Sequence, residues 1–373
     1  MKKILFISGN ARSLIANRGD LIRAMQAEGH VVSAAVPAED MLDSVYDLGI
    51  EIYPFKLGRT GLNPLQDLKT LFFLYRLMRR VRPDMTFAYT IKPVIWGSLA
   101  ARLAGVKGRF SMITGLGAGF GVPKNFKAKL LRRLVTGLYG LGASSSTKLF
   151  FQNPDDMNDF IELGILKDNS KAVRTMGSGV NLALFPRVPI DNGVFTFVFI
   201  ARLLRDKGIY QFVEAASVLK PQFQNARFIA VGPHDPGLPS AVSIEDLNEW
   251  KRKGDVEFIG GVKDVKPWLA LSSVFVLPSF YREGTPRSAL EAMATGRAVI
   301  TSDSPGCRET VVDGVNGFLV KPQSVASLVF AMKTFLEQPD LAVSMGEASY
   351  QRVVADYDVN SVNDVILKAM ELK

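Results

Sequence analysis

Cysteine is almost missing from this chain. Cys307 is alone among 373 residues, so no internal disulfide can form, and a reducing compartment is the natural setting. Histidine is nearly as scarce. His30 and His234 have no Cys, Asp or Glu at metal-ligand spacing, which argues against a structural zinc site. No uncharged apolar run approaches the length of a membrane span. The opening MKKILFIS has only Ile4 to Ile7 as its apolar part and runs straight into Gly9-Asn10-Ala11-Arg12, so it reads as a first strand rather than a leader. There is no G-x-G-x-x-G after that strand and no Walker A sequence anywhere, which removes the usual dinucleotide and P-loop readings. Cys307 as a nucleophile has no nearby His.

What is present is apolar and basic. Hydrophobic residues make up 47% of the chain and mean hydropathy is +0.14, enough to fill the two cores that the length suggests. Residues 1–190 hold 26 Lys and Arg against 14 Asp and Glu, whereas residues 191–373 hold 19 against 22, so the net charge of +9 sits in the first half. Only that half is then expected to meet an anionic surface: membrane headgroups, a diphosphate-linked lipid or nucleic acid. Nucleic acid is the weakest of these, because no basic stretch interleaved with aromatics and no nucleic-acid motif is present.

Strand and helix patterns alternate from the start. Residues 4–8, 31–36, 51–55, 85–89 and 109–113 read as strands, and 14–27, 41–48, 65–80 and 94–103 as helices, a rhythm that predicts a parallel sheet covered on both faces. Such sheets bind ligands at their carboxyl edge. Candidate contacts there are Gly9 and Asn10 after the first strand, Lys92 after the fourth, and Gly115, Gly117 and Gly119 in ITGLGAGFG, where glycine either admits close approach of a ligand or makes a loose connection. Two helices mix apolar and basic residues. The pattern over 65–82 is that of an ordinary sheet-covering helix; that over 122–141, with Lys127, Lys129, Arg132 and Arg133 close behind the glycine loop, predicts contact with an anionic membrane surface. Gly177 and Ser178, in MGSGVN ahead of Phe185-Pro186, mark a junction whose backbone could also face a ligand.

The second half restarts with the apolar run VFTFVFIA (194–201), then R-L-L-R-D-K-G, which sets Arg202 and Lys207 at the carboxyl end of a predicted central strand. Two cations there would neutralise a diphosphate. Further on, SVFVLP (273–278) reads as a buried strand and FYREGTPRSALEAM (280–293) as a tight loop and a helix, with Thr285 as N-cap and Pro286 in the first turn. The free N–H groups of residues 285 to 288, all but Pro286 having one, would form an anion site at the helix N-terminus, with Gly284, Thr285, Pro286 and Arg287 lining it. Glu283 in the loop and Glu291 inside the helix are eight positions apart. A carboxylate one turn into the helix suits the two hydroxyls of a ribose, and one in the loop suits the hydroxyls of a second sugar. Asp356-Tyr357-Asp358, a D-x-D, sits in the helical tail and reads as a helix boundary, not a metal site.

Arg202 with Lys207, followed by Glu283 and Glu291, resembles the donor site of retaining glycosyltransferases of family 4. The stretches GSGVNLALF (177–185), ARLLRDKG (201–208), YREGTPRSALEAMATGRAVITSDSPGCRET (281–310) and VVDGVNGFLV (311–320) carry the resemblance, which extends over the whole chain. With YTIKPVIWGSLAARLAG (89–105), the first half is similar to the branch that builds bacterial capsule, O-antigen and lipid-linked oligosaccharides, including N-acetylgalactosaminyltransferases acting on undecaprenyl-diphosphate sugars. The resemblance implies an α/β protein of GT-B architecture: two Rossmann-like doubly wound domains facing across a cleft. Residues 1–186 would bind acceptor, 187–357 would bind the nucleotide sugar, and 358–373 would return as a helix to the first domain. It implies transfer, with retained configuration and no metal or other cofactor, from a UDP-sugar to a polyprenyl-diphosphate-linked acceptor, by a cytoplasmic protein at the inner face of the membrane. Arg202 and Lys207 would hold the diphosphate, Glu291 the ribose and Glu283 the donor sugar. A soluble acceptor, or a UDP-sugar 2-epimerase of the same fold, are the alternatives; the Arg202/Lys207 spacing argues against the epimerase. Several family members carry a histidine near the segment that here reads Tyr89-Thr90-Ile91-Lys92, so Lys92 stands where acceptor geometry differs.

Overall fold

A computed structural model describes residues 1–373 except 59–62, 121–125, 191–192 and 239; at residues 40, 118, 119, 127 and 128 it describes the backbone alone. The described chain divides into two compact units, Met1–Gly179 with Val359–Lys373, and Val180–Asp358.

The first unit runs β1 (Lys3–Ile7), α1 (Ala11–Ala27), β2 (Val31–Pro37), β3 (Glu51–Phe55), α2 (Pro64–Val81), β4 (Met85–Tyr89), α3 (Ser98–Leu103), β5 (Gly108–Ile113), α4 (Phe126–Ser145), β6 (Lys148–Phe151), α5 (Pro154–Glu162) and β7 (Ala172–Arg174). These strands form one sheet in the order β3-β2-β1-β4-β5-β6-β7, parallel throughout. Alternation along β1 shows how both faces are filled: Ile4 and Phe6 join the cluster with Phe87 and Phe150, whereas Leu5 and Ile7 join Leu74, Leu77 and Ala88. On the second of those faces α2 packs on α3 and α3 on α4. Over residues 41–48 the expected helix is a 3-10 turn, Asp43–Leu48, and over 94–103 the expected single helix is a wide π turn, Pro93–Gly97, ahead of α3. The helix expected from 122 is described only from Phe126.

The second unit runs β8 (Thr196–Ile200), α6 (Ile209–Leu219), β9 (Arg227–Val231), α7 (Ile244–Lys253), β10 (Glu257–Gly260), α8 (Lys266–Leu271), β11 (Val274–Leu277), α9 (Arg287–Ala294), β12 (Ala298–Ser302), β13 (Gly317–Val320), α10 (Val325–Glu337) and α11 (Asp340–Asp356). Its parallel sheet has the order β10-β9-β8-β11-β12-β13, so β8 and β11 are neighbours at its centre. All five residues of β8 are buried, as a two-face-covered strand requires. The last helix, α12 (Val359–Ala369), belongs to the first unit: Val362, Ile366, Leu367 and Met370 lie in the cluster built on Phe6 and Phe87. The first three sit at i, i+4 and i+5, one face of the helix, and Met370 follows directly after its end.

Candidate active site

In the second unit the central neighbours β8 and β11 deliver two loops to one place. The loop after β8 closes as a 3-10 turn, Arg205–Lys207, and Gly208 then opens α6. Gly208 has φ +83, and a Cβ on it would lie 2.2 Å from the Pro278 carbonyl oxygen, so only glycine lets the two loops pass. The Asp206 carbonyl accepts from the backbone N–H groups of Phe280 and Tyr281, both at 3.0 Å, and lies 3.2 Å from the Ser279 hydroxyl oxygen. Sequence-distant residues are thereby locked together, and the Lys207 ammonium donates to Glu283 Oε1.

Glu283 is held on several sides. The Ser279 hydroxyl donates to the same Oε1 at 2.9 Å. Ser304 Oγ in turn holds the Ser279 carbonyl at 2.8 Å. Gly306, with φ +78, lies so close that a Cβ would be 2.2 Å from the Gly284 carbonyl oxygen. The Lys207 ammonium also lies over the Tyr281 ring, 5.0 Å from its centroid. Burial, then the Glu283 charge, raise the Tyr281 phenol above its ordinary range. Both partners of the Lys207–Glu283 pair are largely removed from water, with side chains 14% and 11% exposed. Arg202 contrasts with Lys207: its side chain is exposed and makes no ion pair among the described residues. Cys307, behind Glu283, is fully buried, and burial pushes its thiol up to about 12, the inert state of a packed cysteine.

The helix starts one residue later than the sequence pattern predicts. Pro286, not Thr285, is the N-cap of α9, because its ψ of 114° is still extended, and it offers no side-chain cap. Its carbonyl accepts from Ala289 and Leu290. Thr285 and Gly284 therefore belong to the loop that leads into the helix. Glu291 lies in the second turn of α9 and is paired with Arg287 Nε at 2.7 Å, an i, i+4 contact. Burial nevertheless raises the Glu291 carboxyl above its ordinary range, outweighing the lowering by Arg287.

In the first unit the predicted positions fall at the carboxyl ends of the strands. Asn10 is spent as the N-cap of α1, accepting from Ser13 N at 2.7 Å. Gly9 lies against Thr90: a Cβ there would be 2.2 Å from Thr90 Oγ1. Thr90, directly after β4, has φ +69, a conformation that a β-branched residue rarely adopts. Lys92 is not an open cation, since its ammonium donates to the buried Asp67 carboxylate of α2 at 2.9 Å. Gly115 and Gly117 have φ of +102 and +62, and Gly117 opens a 3-10 turn that includes Gly119. Gly177 has φ +64, and Ser178 Oγ accepts from Gln152 Nε2 at 2.9 Å.

On α4, Lys129 and Arg133 are exposed and Arg132 is half-buried, while the side chain of Lys127 lies outside the described residues. Between them stand exposed Phe126, Leu130, Leu131 and Leu134. The helix α2, read from sequence as an ordinary covering helix, also exposes Leu65, Leu68, Phe72 and Phe73. Both sets occupy the first halves of helices that follow strands, so both lie toward the carboxyl edge of the first sheet, with exposed Ile91 in the loop after β4. No helix among the described residues is long and apolar enough to cross a membrane. No cluster of three or more His, Cys, Asp or Glu suited to a metal occurs among them either. His30 and His234 face the backbone carbonyls of Leu372 and Val242.

Comparison with known proteins covers both units. A family model described as glycosyl transferases group 1 matches residues 182–352, and one described as glycosyl transferase 4-like matches 3–153. The N,N'-diacetylbacillosaminyl-diphospho-undecaprenol alpha-1,3-N-acetylgalactosaminyltransferase of Campylobacter jejuni is 29% identical over 98% of this chain and 97% of its own length. The UDP-Gal:alpha-D-GlcNAc-diphosphoundecaprenol alpha-1,3-galactosyltransferase of Escherichia coli is 27% identical over 73% of this chain and 71% of its own. Among solved structures, HepE of Anabaena, in complex with UDP and glucose, shares the fold with a TM-score of 0.81 at 19% identity, each chain covered in full. Sucrose-phosphate synthase of Thermosynechococcus elongatus gives 0.81 at 20% identity, over 100% of this chain and 98% of its own.

Proposed function

From the two glycosyltransferase family models that match its two halves, we propose that the chain is a glycosyltransferase of family 4 that moves a sugar from a UDP-sugar to a polyprenyl-diphosphate-linked saccharide in the assembly of a bacterial surface or protein-linked glycan. The observation that carries the donor half is the convergence of Lys207 and Glu283 from two loops at the centre of the second sheet. In this reading Arg202, Lys207 and the first turn of α9 receive the diphosphate. Glu291, buried and aligned by Arg287, accepts from the ribose hydroxyls, and Glu283 from the hydroxyls of the donor sugar. When the bond from the sugar to the β-phosphate breaks, charge gathers on the leaving diphosphate. Fixed cations and helix amides stabilise that charge more than they stabilise the bound ground state. Transfer on the face the nucleotide leaves gives retained configuration, and these protein groups take the place of a divalent ion.

The acceptor half rests on relatives named for undecaprenyl-diphosphate acceptors and on the surface of the first unit. Exposed leucines and phenylalanines beside Lys129, Arg132 and Arg133 suit an anionic bilayer, apolar side chains entering the interface and cations meeting headgroups. We extend that surface from α4 to the first half of α2. A membrane there would bring lipid-bound diphosphates to the carboxyl edge that carries Gly115, Gly117 and the Thr90–Lys92 segment. Lys92, neutralised by Asp67, then serves to fix that segment rather than to act as an open cation.

The test is transfer itself. The protein is incubated with UDP-N-acetylgalactosamine, UDP-N-acetylglucosamine, UDP-galactose or UDP-glucose and with short-chain polyprenyl-diphosphate saccharides, and products are read by mass. One donor is expected to add one sugar, with an α linkage by NMR. Glu283→Ala is expected to lose about 10²–10³-fold in rate with its fold intact. Conversion of a UDP-sugar to its epimer without acceptor would replace this reading by the epimerase, and full activity of Glu283→Ala would remove that residue from the sugar site.

A further inference from the structure

We propose that the Lys207–Glu283 ion pair makes the site favour an intact sugar nucleotide over the bare nucleoside diphosphate that remains after transfer. The inference rests on the donor reading above. Its starting point is that the two cations of the site differ: Arg202 is exposed and makes no ion pair among the described residues, whereas Lys207 is already neutralised by Glu283. The pair is little screened by water, and the Tyr281 ring covers the ammonium from another side. Glu283 Oε1 receives both the ammonium and the Ser279 hydroxyl, so the carboxylate is held in place by a neighbour that stays when Lys207 moves.

A diphosphate can engage Arg202 at no cost to the protein's own contacts. To engage Lys207 it must weaken the pair and leave a buried carboxylate with less compensation, which is unfavourable. A ligand that also carries sugar hydroxyls removes that difficulty, because its O–H groups donate to Glu283 as the ammonium turns to the phosphate. UDP has no sugar beyond its β-phosphate, and its ribose hydroxyls are taken by Glu291 in this reading, so it offers Glu283 no donor in return. The sugar nucleotide therefore makes both contacts together and UDP must compete with Glu283 for Lys207. Specificity of this kind is a difference between two bound states, obtained by penalising one of them, and it eases product departure.

Binding of UDP to wild type, Glu283→Gln, Lys207→Met and the double variant, measured by titration calorimetry, tests the proposal. Glu283→Gln is expected to bind UDP about tenfold more tightly than wild type, because Lys207 is released. In the Lys207→Met background the same change is expected to alter UDP affinity by less than about twofold. Glu283→Asp, which keeps the charge but shortens its reach, is expected to tighten UDP binding as well, and serves if the Gln variant does not fold. Unchanged or weaker UDP binding by both Glu283 variants overturns the proposal. So does an equal gain in the Lys207→Met background, which would show simple charge removal. Failure of every form, wild type included, to bind UDP would instead overturn the donor reading on which the proposal stands.

Discussion

Glu291 shows how a single side chain is placed against its own preference. Its carboxylate is buried inside α9, and burial raises its proton affinity despite Arg287. A carboxyl group whose folded-state pKa is raised destabilises the charged native protein, so stability increases as pH falls through that raised value. Ribose binding as proposed for Glu291 would have the opposite sign, because it needs the ionised form. UDP affinity is thus predicted to decline toward acid pH from a point above the ordinary carboxylate range. Glu291→Gln should melt no lower than wild type at neutral pH, bind UDP about tenfold more weakly, and lose the acid limb of the affinity profile; the carboxamide removes the ionic acceptor while keeping the shape. A variant that melts far lower and binds UDP normally would make Glu291 a structural residue. The two glutamates and two cations were legible in the sequence because each lies in a short motif. Ser279, Ser304 and Gly306, which hold Glu283 in place, were not: Ser279 stands outside any motif, and Ser304, 25 positions from Ser279, and Gly306 reach that loop only because the neighbouring strands β11 and β12 bring their following loops together.

At the scale of elements, the strands other than β7 were legible nearly to the residue, since an all-parallel sheet leaves continuous apolar runs such as those at Thr196–Ile200 and Val274–Leu277, whereas β7 is an edge strand of three residues, none of them fully buried. Short or polar helices were not. α7, IEDLNEWKRK, buries only Leu247, and α8 is six residues long, so neither leaves a clear apolar period. Burial of Arg297 was equally hidden: its guanidinium donates to the carbonyls of Leu269 and Ala270 at the end of α8, partners that no sequence spacing announces. For α2 and α4 the sequence showed mixed apolar and basic character, but which residues face outward depends on the sheet beneath. The exposed faces lead to a definite expectation. Phe126→Ser with Leu130→Ser on α4, and separately Leu68→Ser with Phe72→Ser on α2, should each reduce sedimentation with anionic liposomes by about tenfold while leaving the melting temperature within a few degrees, the burial of two large apolar side chains in the interface being lost. Replacing Lys129, Arg132 and Arg133 by Gln should weaken binding mainly at low salt. Undiminished sedimentation of the α2 variant would confine the membrane surface to α4.

For the whole molecule, each unit has its own sheet and core, and the chain's last helix is part of the first unit's packing rather than an appendage of the second. Residues 359–373 therefore complete the core that underlies the first unit's loops, with apolar side chains that contribute roughly 1.5–3 kcal/mol each when fully buried. In the proposed reading the division of labour follows the charge: a basic unit with exposed apolar helices would take the acceptor, and a unit of balanced charge with paired cations and carboxylates the donor. The second unit carries the proposed donor chemistry. The measurement that reaches it most directly is the melting temperature of the native protein with UDP at about 100 times its dissociation constant, with and without EDTA. Binding to the native state alone should contribute about 2.7 kcal/mol and raise the transition by several degrees, equally in EDTA because the protein's own groups hold the diphosphate. No shift at any UDP concentration would contradict the donor site assigned to Arg202, Lys207, Glu283 and Glu291, and a shift abolished by EDTA would contradict its independence of a metal.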